Sequence, residues 1–220
     1  RVKEKTAPTI TITSPSAGAY ITNTTPTIEF QVKDTDSGVN AGTIAVTVDG
    51  TVVSTVTKTA IDGGYKCTCT SPTLKDGSHT ISVKASDNDG NAAAAKTATF
   101  TVDTVPPTLQ ITAPSNDLIT NKKTVTVSGK TDDVSSKPVT VTVNGATVTV
   151  GTDGTFTKDV TLAEGANTIT IVAKDKAGKT TTVTRKVTVD TSAPVIKSVT
   201  LTPNPVDCGK TFIIAVEITD

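Results

Sequence analysis

The 220-residue chain contains no Trp, no Met, a single His, three Cys and only six aromatic rings, two Tyr and four Phe. With one His, no Gly-x-Ser-x-Gly, no His-Glu-x-x-His and no phosphate loop, it offers no recognisable catalytic grouping. Charge of either sign is not in excess: 21 basic and 21 acidic side chains cancel, which removes the electrostatic footprint expected of a nucleic-acid binder or a protein held on an anionic membrane. No run of 18 apolar residues exists to span a membrane, and Arg1-Val2-Lys3-Glu4-Lys5 lacks the apolar stretch of a signal peptide. The lack of any Met predicts a piece excised from a longer chain. Cys67, Cys69 and Cys208 are odd in number and match no disulfide framework, so stability is expected from packing rather than cross-links.

What the chain has in abundance is 49 Thr and 28 Val, β-branched residues that suit a pleated, half-buried surface. It also repeats itself. Ala7-Pro8-Thr9-Ile10-Thr11-Ile12-Thr13-Ser14-Pro15 returns as Pro106-Pro107-Thr108-Leu109-Gln110-Ile111-Thr112-Ala113-Pro114, and more loosely from Ala193-Pro194-Val195-Ile196 to Leu201-Thr202-Pro203. The stretch from Asp76 to Asp87 corresponds to that from Glu164 to Asp175, and Val102-Asp103-Thr104 to Val189-Asp190-Thr191.

Each repeat carries about seven short alternating runs separated by Gly, Asp, Asn and Pro, the pattern of an antiparallel sandwich. Strands are predicted near 9–14, 26–33, 44–49, 52–58, 64–70, 79–87 and 96–102, and again near 108–112, 123–130, 138–143, 146–150, 155–162, 167–174 and 180–189. Asp49-Gly50 and Asn144-Gly145 each join two Val/Thr runs and mark tight hairpins, because both central residues of a primed turn need positive φ. Alternation assigns Ile10, Ile12, Ile28, Phe30, Val32, Ile81, Val83 and Phe100 to one core. Leu109, Ile111, Val125, Val127, Val141, Phe156, Val160, Ile169 and Ile171 fall to a second. The predicted fold class is all-β, tandem immunoglobulin-like antiparallel sandwiches with a truncated third unit. An N-terminal tail (1–6) precedes domain one (7–103), a linker (104–107), domain two (108–190), a second linker (191–194) and the first two strands of a third domain (195–220).

The Pro-rich openings, the stretch from Gly77 to Asp87 with its Asp89-Gly90-Asn91 turn, its counterpart at 165–179 and the Val-Asp-Thr junctions resemble bacterial immunoglobulin-like repeat modules. These occur in tandem in secreted and cell-surface proteins of bacteria and in some phage tail proteins. The resemblance implies an extracellular, bacterial cell-surface or secreted setting, and modules that serve as spacers, adhesins or enzyme appendages. Unlike vertebrate immunoglobulin domains, the chain has no core Trp and no Cys pair bridging the sheets.

Carboxylates are the clustered polar groups. The topology places Asp34 and Asp36 at the same end of unit one as Asp87 and Asp89, four hard oxygen donors of the kind that bind Ca²⁺. In unit two Asp132, Asp133 and Asp175 occupy the matching loops, and Asp103 comes from the preceding linker, so a metal could sit across the junction and stiffen it. The spacing matches no complete Ca²⁺ loop, Asp commonly satisfies its own turn backbone, and Lys130, Lys137, Lys174, Lys176 and Lys179 crowd the second place. Solvated turns are therefore favoured over calcium, and no other cofactor is called for.

Cys67 and Cys69, two apart on one strand, are expected to point inward as small hydrophobes, and Cys208 to be exposed. His79 aligns with Asn167 in the sister unit, an exchange that general acid-base work would not tolerate. Lys158 falls between Phe156 and Val160 on a face that should be buried, yet no motif marks an isopeptide-forming Lys, Asn and carboxylate. Tyr20 is the one aromatic expected near the surface, so the ring platform of a glycan-binding module is missing.

These readings favour a non-catalytic stalk that projects another domain. Modules of about 35–45 Å would be joined by short Pro-containing linkers into a rod on the order of 80–100 Å long. The alternatives are an adhesin or glycan- or matrix-binding module, or an immunoglobulin-like appendage of a secreted enzyme or phage tail protein. Expected partners are the neighbouring domains of the chain, a second copy joined through the incomplete third unit, or a surface ligand or glycan.

Overall fold

The computed structural model describes residues 3–202, 208–209, 211 and 213–219. The described residues form nineteen strands and no helix. In unit one, β1 (Thr9–Ser14), β3 (Thr27–Lys33), β7 (Gly64–Thr70) and β6 (Thr57–Ile61) make one sheet in the order β1-β3-β7-β6. The facing sheet runs β2-β9-β8-β4-β5, from β2 (Tyr20–Ile21), β9 (Lys96–Val102), β8 (Gly77–Asp87), β4 (Val39–Val48) and β5 (Thr51–Val52). Ile28, Phe30, Val32, Val46, Ile81, Val83 and Val102 between the sheets are wholly enclosed, and Phe100 is 1% exposed. Burying a side chain the size of Phe30 contributes about 1.5–3 kcal/mol.

Unit two repeats the plan with a core of its own. Here β10 (Thr108–Ala113), β12 (Thr124–Asp132) and β15 (Thr155–Thr161) form a three-stranded sheet. It faces the order β11-β17-β16-β13-β14, built from β11 (Leu118–Thr120), β17 (Thr180–Val189), β16 (Gly165–Lys174), β13 (Thr140–Val143) and β14 (Ala146–Val148). Its buried centre comprises Val127, Val141, Val143, Phe156, Ile169, Ile171 and Ala173. Both announced hairpins are present: Asp49 and Gly50 have φ of 50° and 81°, Asn144 and Gly145 of 48° and 79°. Tandem immunoglobulin-like sandwiches are thus what the alternation predicts and what forms.

The structure departs from the expectations or refines them in four places, each with a physical reason. The single strand expected over 52–58 is divided, since the chain leaves one sheet at Val52 and enters the other at Thr57, with Val53 buried at the crossing. Unit two goes directly from β14 to β15 and has no counterpart of β6, which accounts for its shorter repeat. The short strands β2 and β11 pair in parallel with β9 and β17, a switch of sheets too brief to leave a period in the sequence. Ile12, Leu109, Ile111 and Val160, expected inside, are half-buried because β1, β10 and β15 are edge strands with a neighbour on one side only.

Beyond unit two lies an antiparallel pair, β18 (Val195–Thr202) with β19 (Ile213–Thr219). All of its strand residues are exposed, including Ile196, Val199, Leu201, Ile214 and Ile218. The expected match of Phe212 to Asp220 with unit one rests partly on Phe212 and Asp220, and the Cys208 turn on 205–207, which lie outside the described residues; Cys208 itself is exposed.

Candidate metal centre

Strand ends carry the acidic groups to one end of each module. In unit one, carboxylate oxygens of Glu4, Asp34 and Asp87 all lie within 4.8 Å of one another, and in unit two those of Asp103, Asp133 and Asp175 do the same. The two trios are register equivalents. Thr9 pairs with Lys33 and Thr108 with Asp132, so Asp34 and Asp133 are the residues that follow matching strand positions. Asp87 closes β8, and Asp175 follows the end of β16 at Lys174. Glu4 stands four residues before Pro8, as Asp103 stands four before Pro107.

Each aspartate holds its own loop through one oxygen. Asp34 Oδ1 accepts from the backbone N–H groups of Asp36, Ser37 and Gly38 at 3.2, 3.0 and 2.8 Å. Asp133 Oδ1 accepts from Ser135 and Ser136 at 2.8 and 2.7 Å. Asp87 Oδ1 and Asp175 Oδ1 take the N–H groups of Asn91 and Lys179, at 2.7 and 2.8 Å. Asp103 Oδ1 accepts from Val105 at 3.2 Å.

The second oxygens fare differently in the two units. In unit one, Asn91 Nδ2 donates to Asp87 Oδ2 at 2.5 Å, to Glu4 Oε1 at 3.1 Å and to the Glu4 carbonyl at 3.0 Å. Ser37 Oγ adds a fourth bond to Glu4 Oε1 at 3.1 Å. Burial works to raise the Asp87 carboxyl, but hydrogen bonds with the Glu4 side chain and from Asn91 outweigh it and hold that carboxyl well below the usual carboxylate range. In unit two Lys179 takes the place of Asn91 and Ser136 that of Ser37. There Asp103 Oδ2, Asp175 Oδ2 and Ser136 Oγ are buried without any hydrogen-bond partner. Asp103, Asp175, Asp133 and Ser136 are 1%, 5%, 6% and 0% exposed, so solvent does not substitute for the missing donors.

Of the eight aspartates singled out in the sequence, these arrangements bring together Asp34 with Asp87, and Asp103 with Asp133 and Asp175. Asp36 is exposed and takes part through its backbone N–H. Asp89 is half-buried and holds the N-terminal segment, accepting from Glu4 N–H at 3.3 Å and, at its carbonyl, from Lys3 Nζ at 3.1 Å. Asp132 is exposed and paired with Lys137 at 2.7 Å, and that bond lowers its pKa. Glu4 was not foreseen; its signal was the shared four-residue spacing from each opening proline. The crowding lysines do not neutralise the second trio: Lys137 pairs with Asp132, Lys176 lies 5.1 Å over the Tyr20 ring, and no ion pair among the described residues reaches Asp103, Asp133 or Asp175.

The remaining candidates have structural roles. His79 Nδ1 shares a hydrogen bond with Asp49 Oδ2 at 2.6 Å and Nε2 faces the Lys75 carbonyl at 2.8 Å, which leaves neither ring nitrogen unengaged. Cys67 and Cys69 are buried free thiols; burial, reinforced by the charge of Cys67, pushes Cys69 up to about 11. Lys158 is half-buried opposite Val127 on an edge strand. Tyr20 is half-buried beneath Lys176 rather than presented as a platform.

Two stacked sheets per unit, with strand orders of this kind, define tandem immunoglobulin-like sandwiches. Residues 8–83 match the family model of a bacterial Ig domain, and residues 107–191 that of glucodextranase domain B. The two units are therefore tandem immunoglobulin-like sandwiches, the first similar to a bacterial Ig domain and the second to glucodextranase domain B. Among curated proteins it is similar to bacillopeptidase F of Bacillus subtilis (strain 168), 30% identical over 185 residues, which are 84% of this chain and 12% of that protein. The chain thus spans about an eighth of that relative. Among solved structures, the fibronectin(III)-like modules of Clostridium thermocellum CbhA align over 83% of this chain and 94% of theirs, with TM-score 0.50 and 21% identity. The titin domains I67–I69 align over 87% of this chain and 68% of theirs, with TM-score 0.51 and 13% identity.

Proposed function

We propose that the chain is a non-catalytic structural spacer of a bacterial extracellular protein, holding another part of its parent at a distance from a surface. The observation that carries the reading is the joint between the modules. Asp103 N–H donates to the Ile21 carbonyl at 2.8 Å, and Thr104 donates through N–H and Oγ1 to Asp76 at 3.1 and 2.9 Å, so the linker start is tied to unit one. The Pro107 carbonyl accepts from Thr181 Oγ1, which ties the linker end to unit two. Only Val105 and Pro106 lie between these anchors, and the proline restricts φ. A short, doubly anchored linker limits bending, as a spacer requires. The bacterial Ig match and the likeness to part of a protein named as a peptidase support an extracellular setting in a larger protein.

The same device recurs after unit two, where Thr191 donates through N–H and Oγ1 to Glu164, both at 2.7 Å. Those bonds, the backbone one first, lower the Glu164 pKa. Small-angle scattering of the chain tests the reading: an elongated particle with a maximum dimension on the order of 80–100 Å is expected from strand length. A compact profile, or saturable binding on a glycan array, would replace the spacer with a ligand-binding module.

A further inference from the structure

At the joint two buried carboxylate oxygens, Asp103 Oδ2 and Asp175 Oδ2, and the buried Ser136 hydroxyl have no hydrogen-bond partner. Unpaired buried acceptors are costly, and three carboxylates that converge without a donor repel one another besides. In unit one the equivalent problem is solved by the Asn91 amide, which places its N–H groups between Asp87 and Glu4. In unit two no donor among the described residues plays that part. We infer that a calcium ion does: Asp103, Asp133 and Asp175 form a divalent-cation site between linker and module two, with Ser136 Oγ beside it.

The donor set is all oxygen, which suits a hard cation. Calcium–oxygen distances of about 2.3–2.6 Å let two ligands of one ion stand up to roughly 5 Å apart, which accommodates oxygens within 4.8 Å of one another. Magnesium demands a near-ideal octahedron at about 2.0–2.1 Å and gives up its waters reluctantly, whereas calcium accepts irregular oxygen sets, so calcium is the better fit to an all-protein carboxylate cluster. The Oδ1 atoms are already occupied by loop N–H groups, so the loops are preformed with Oδ2 of Asp103 and Asp175 left for the ion. A cleft of about 340 Å³ bordered by Val105, Pro106, Val134 and Ser135 adjoins Asp103 and Asp133 and gives an ion an approach to the trio. Since Asp103 hangs from unit one through the Ile21 carbonyl, the ion joins the modules through it.

The inference goes beyond the spacer reading, and the two fail separately: an elongated chain without calcium would leave the spacer intact. Calorimetric titration of CaCl₂ into the chelator-treated full chain is expected to give one site, with affinity in the roughly 10⁻⁴–10⁻³ M range of extracellular modules. Asp103→Asn should weaken binding at least tenfold, whereas Asp36→Asn and Asp132→Asn should leave it unchanged. Should Asp103→Asn not fold, wild-type amide spectra decide: calcium should move the Val105, Ser135, Ser136 and Lys179 resonances and leave those of Gly38 and Asn91 in place. No binding, binding undiminished in Asp103→Asn, or shifts of equal size in both units would overturn it.

Discussion

Unit one and unit two place three acidic side chains at the same three points of the same sandwich, and they differ in what stands among them. At one point unit one has Asn91, whose side-chain amide binds two carboxylates at once. Unit two has Lys179, which reaches Asp175 through its backbone N–H rather than a side-chain amide. The difference teaches that the backbone plan dictates where the carboxylates converge, while one side chain decides whether the cluster is closed by the chain's own donors. It also explains why both acidic loops look alike in sequence but offer different chemistry.

The broadest test of the comparison asks whether the modules are separate bodies. Phe30→Ala should destabilise unit one by about 3–5 kcal/mol and Phe156→Ala unit two by a similar amount. Because each ring lies in its own core, calorimetry should show each substitution lowering one transition and sparing the other. A single transition moved by both would merge the modules.

Next in size is the closing amide. Asn91→Ala strips the shared donor from Asp87 and Glu4 and should lower the unit-one melting temperature by roughly 4–8 °C, the scale of one net interaction in a module of this size. Lys179→Ala keeps its backbone N–H and should leave unit two within a degree or so. Equal shifts would mean the amide is not what separates the two sites.

The smallest effect concerns His79, whose counterpart Asn167 cannot titrate. Burial works to lower its pKa, but the Asp49 and Lys75 hydrogen bonds and the Asp49 charge outweigh it and raise it above the usual value of about 6.5. With the folded pKa raised, this contribution is fully present below about pH 6.5 and is lost as pH rises through the folded value. Asp49 is shifted the other way: burial works to raise its pKa, but the bonds from His79 and Thr80 prevail. Its contribution is present above the ordinary Asp value and lost on acidification. The imidazole resonance should therefore titrate above 6.5 in the wild type and fall in Asp49→Asn. Unit-two stability should show no step there; an unmoved titration in Asp49→Asn would remove the pair.

Much of this was legible in the chain. Alternation located Phe30, Val83, Ile169 and Ile171 in their cores, and Asp-Gly and Asn-Gly announced the hairpins, because period and turn chemistry are local properties. The division of 52–58 between two sheets was not legible, since its Val and Thr residues read as one more continuous β-branched run. Asp34, Asp87, Asp103, Asp133 and Asp175 could be nominated from loop positions. Glu4 was passed over because it precedes the first strand, and Asp36 and Asp132 could not be told from their neighbours by residue type.

By itself, the order of Thr, Val, Ile and Gly determined that this chain makes sandwiches in tandem, because burial of alternate side chains leaves a β-rich chain few other ways to hide apolar surface. Only the tertiary structure decided which acids meet and which of their oxygens go unpaired. That outcome depends on contacts between residues nearly ninety positions apart, as between Glu4 and Asn91, or on a linker folded back against the next module, as with Asp103 and Asp175. Hydrogen-bond satisfaction is set by angstroms in space, which a one-dimensional pattern does not record.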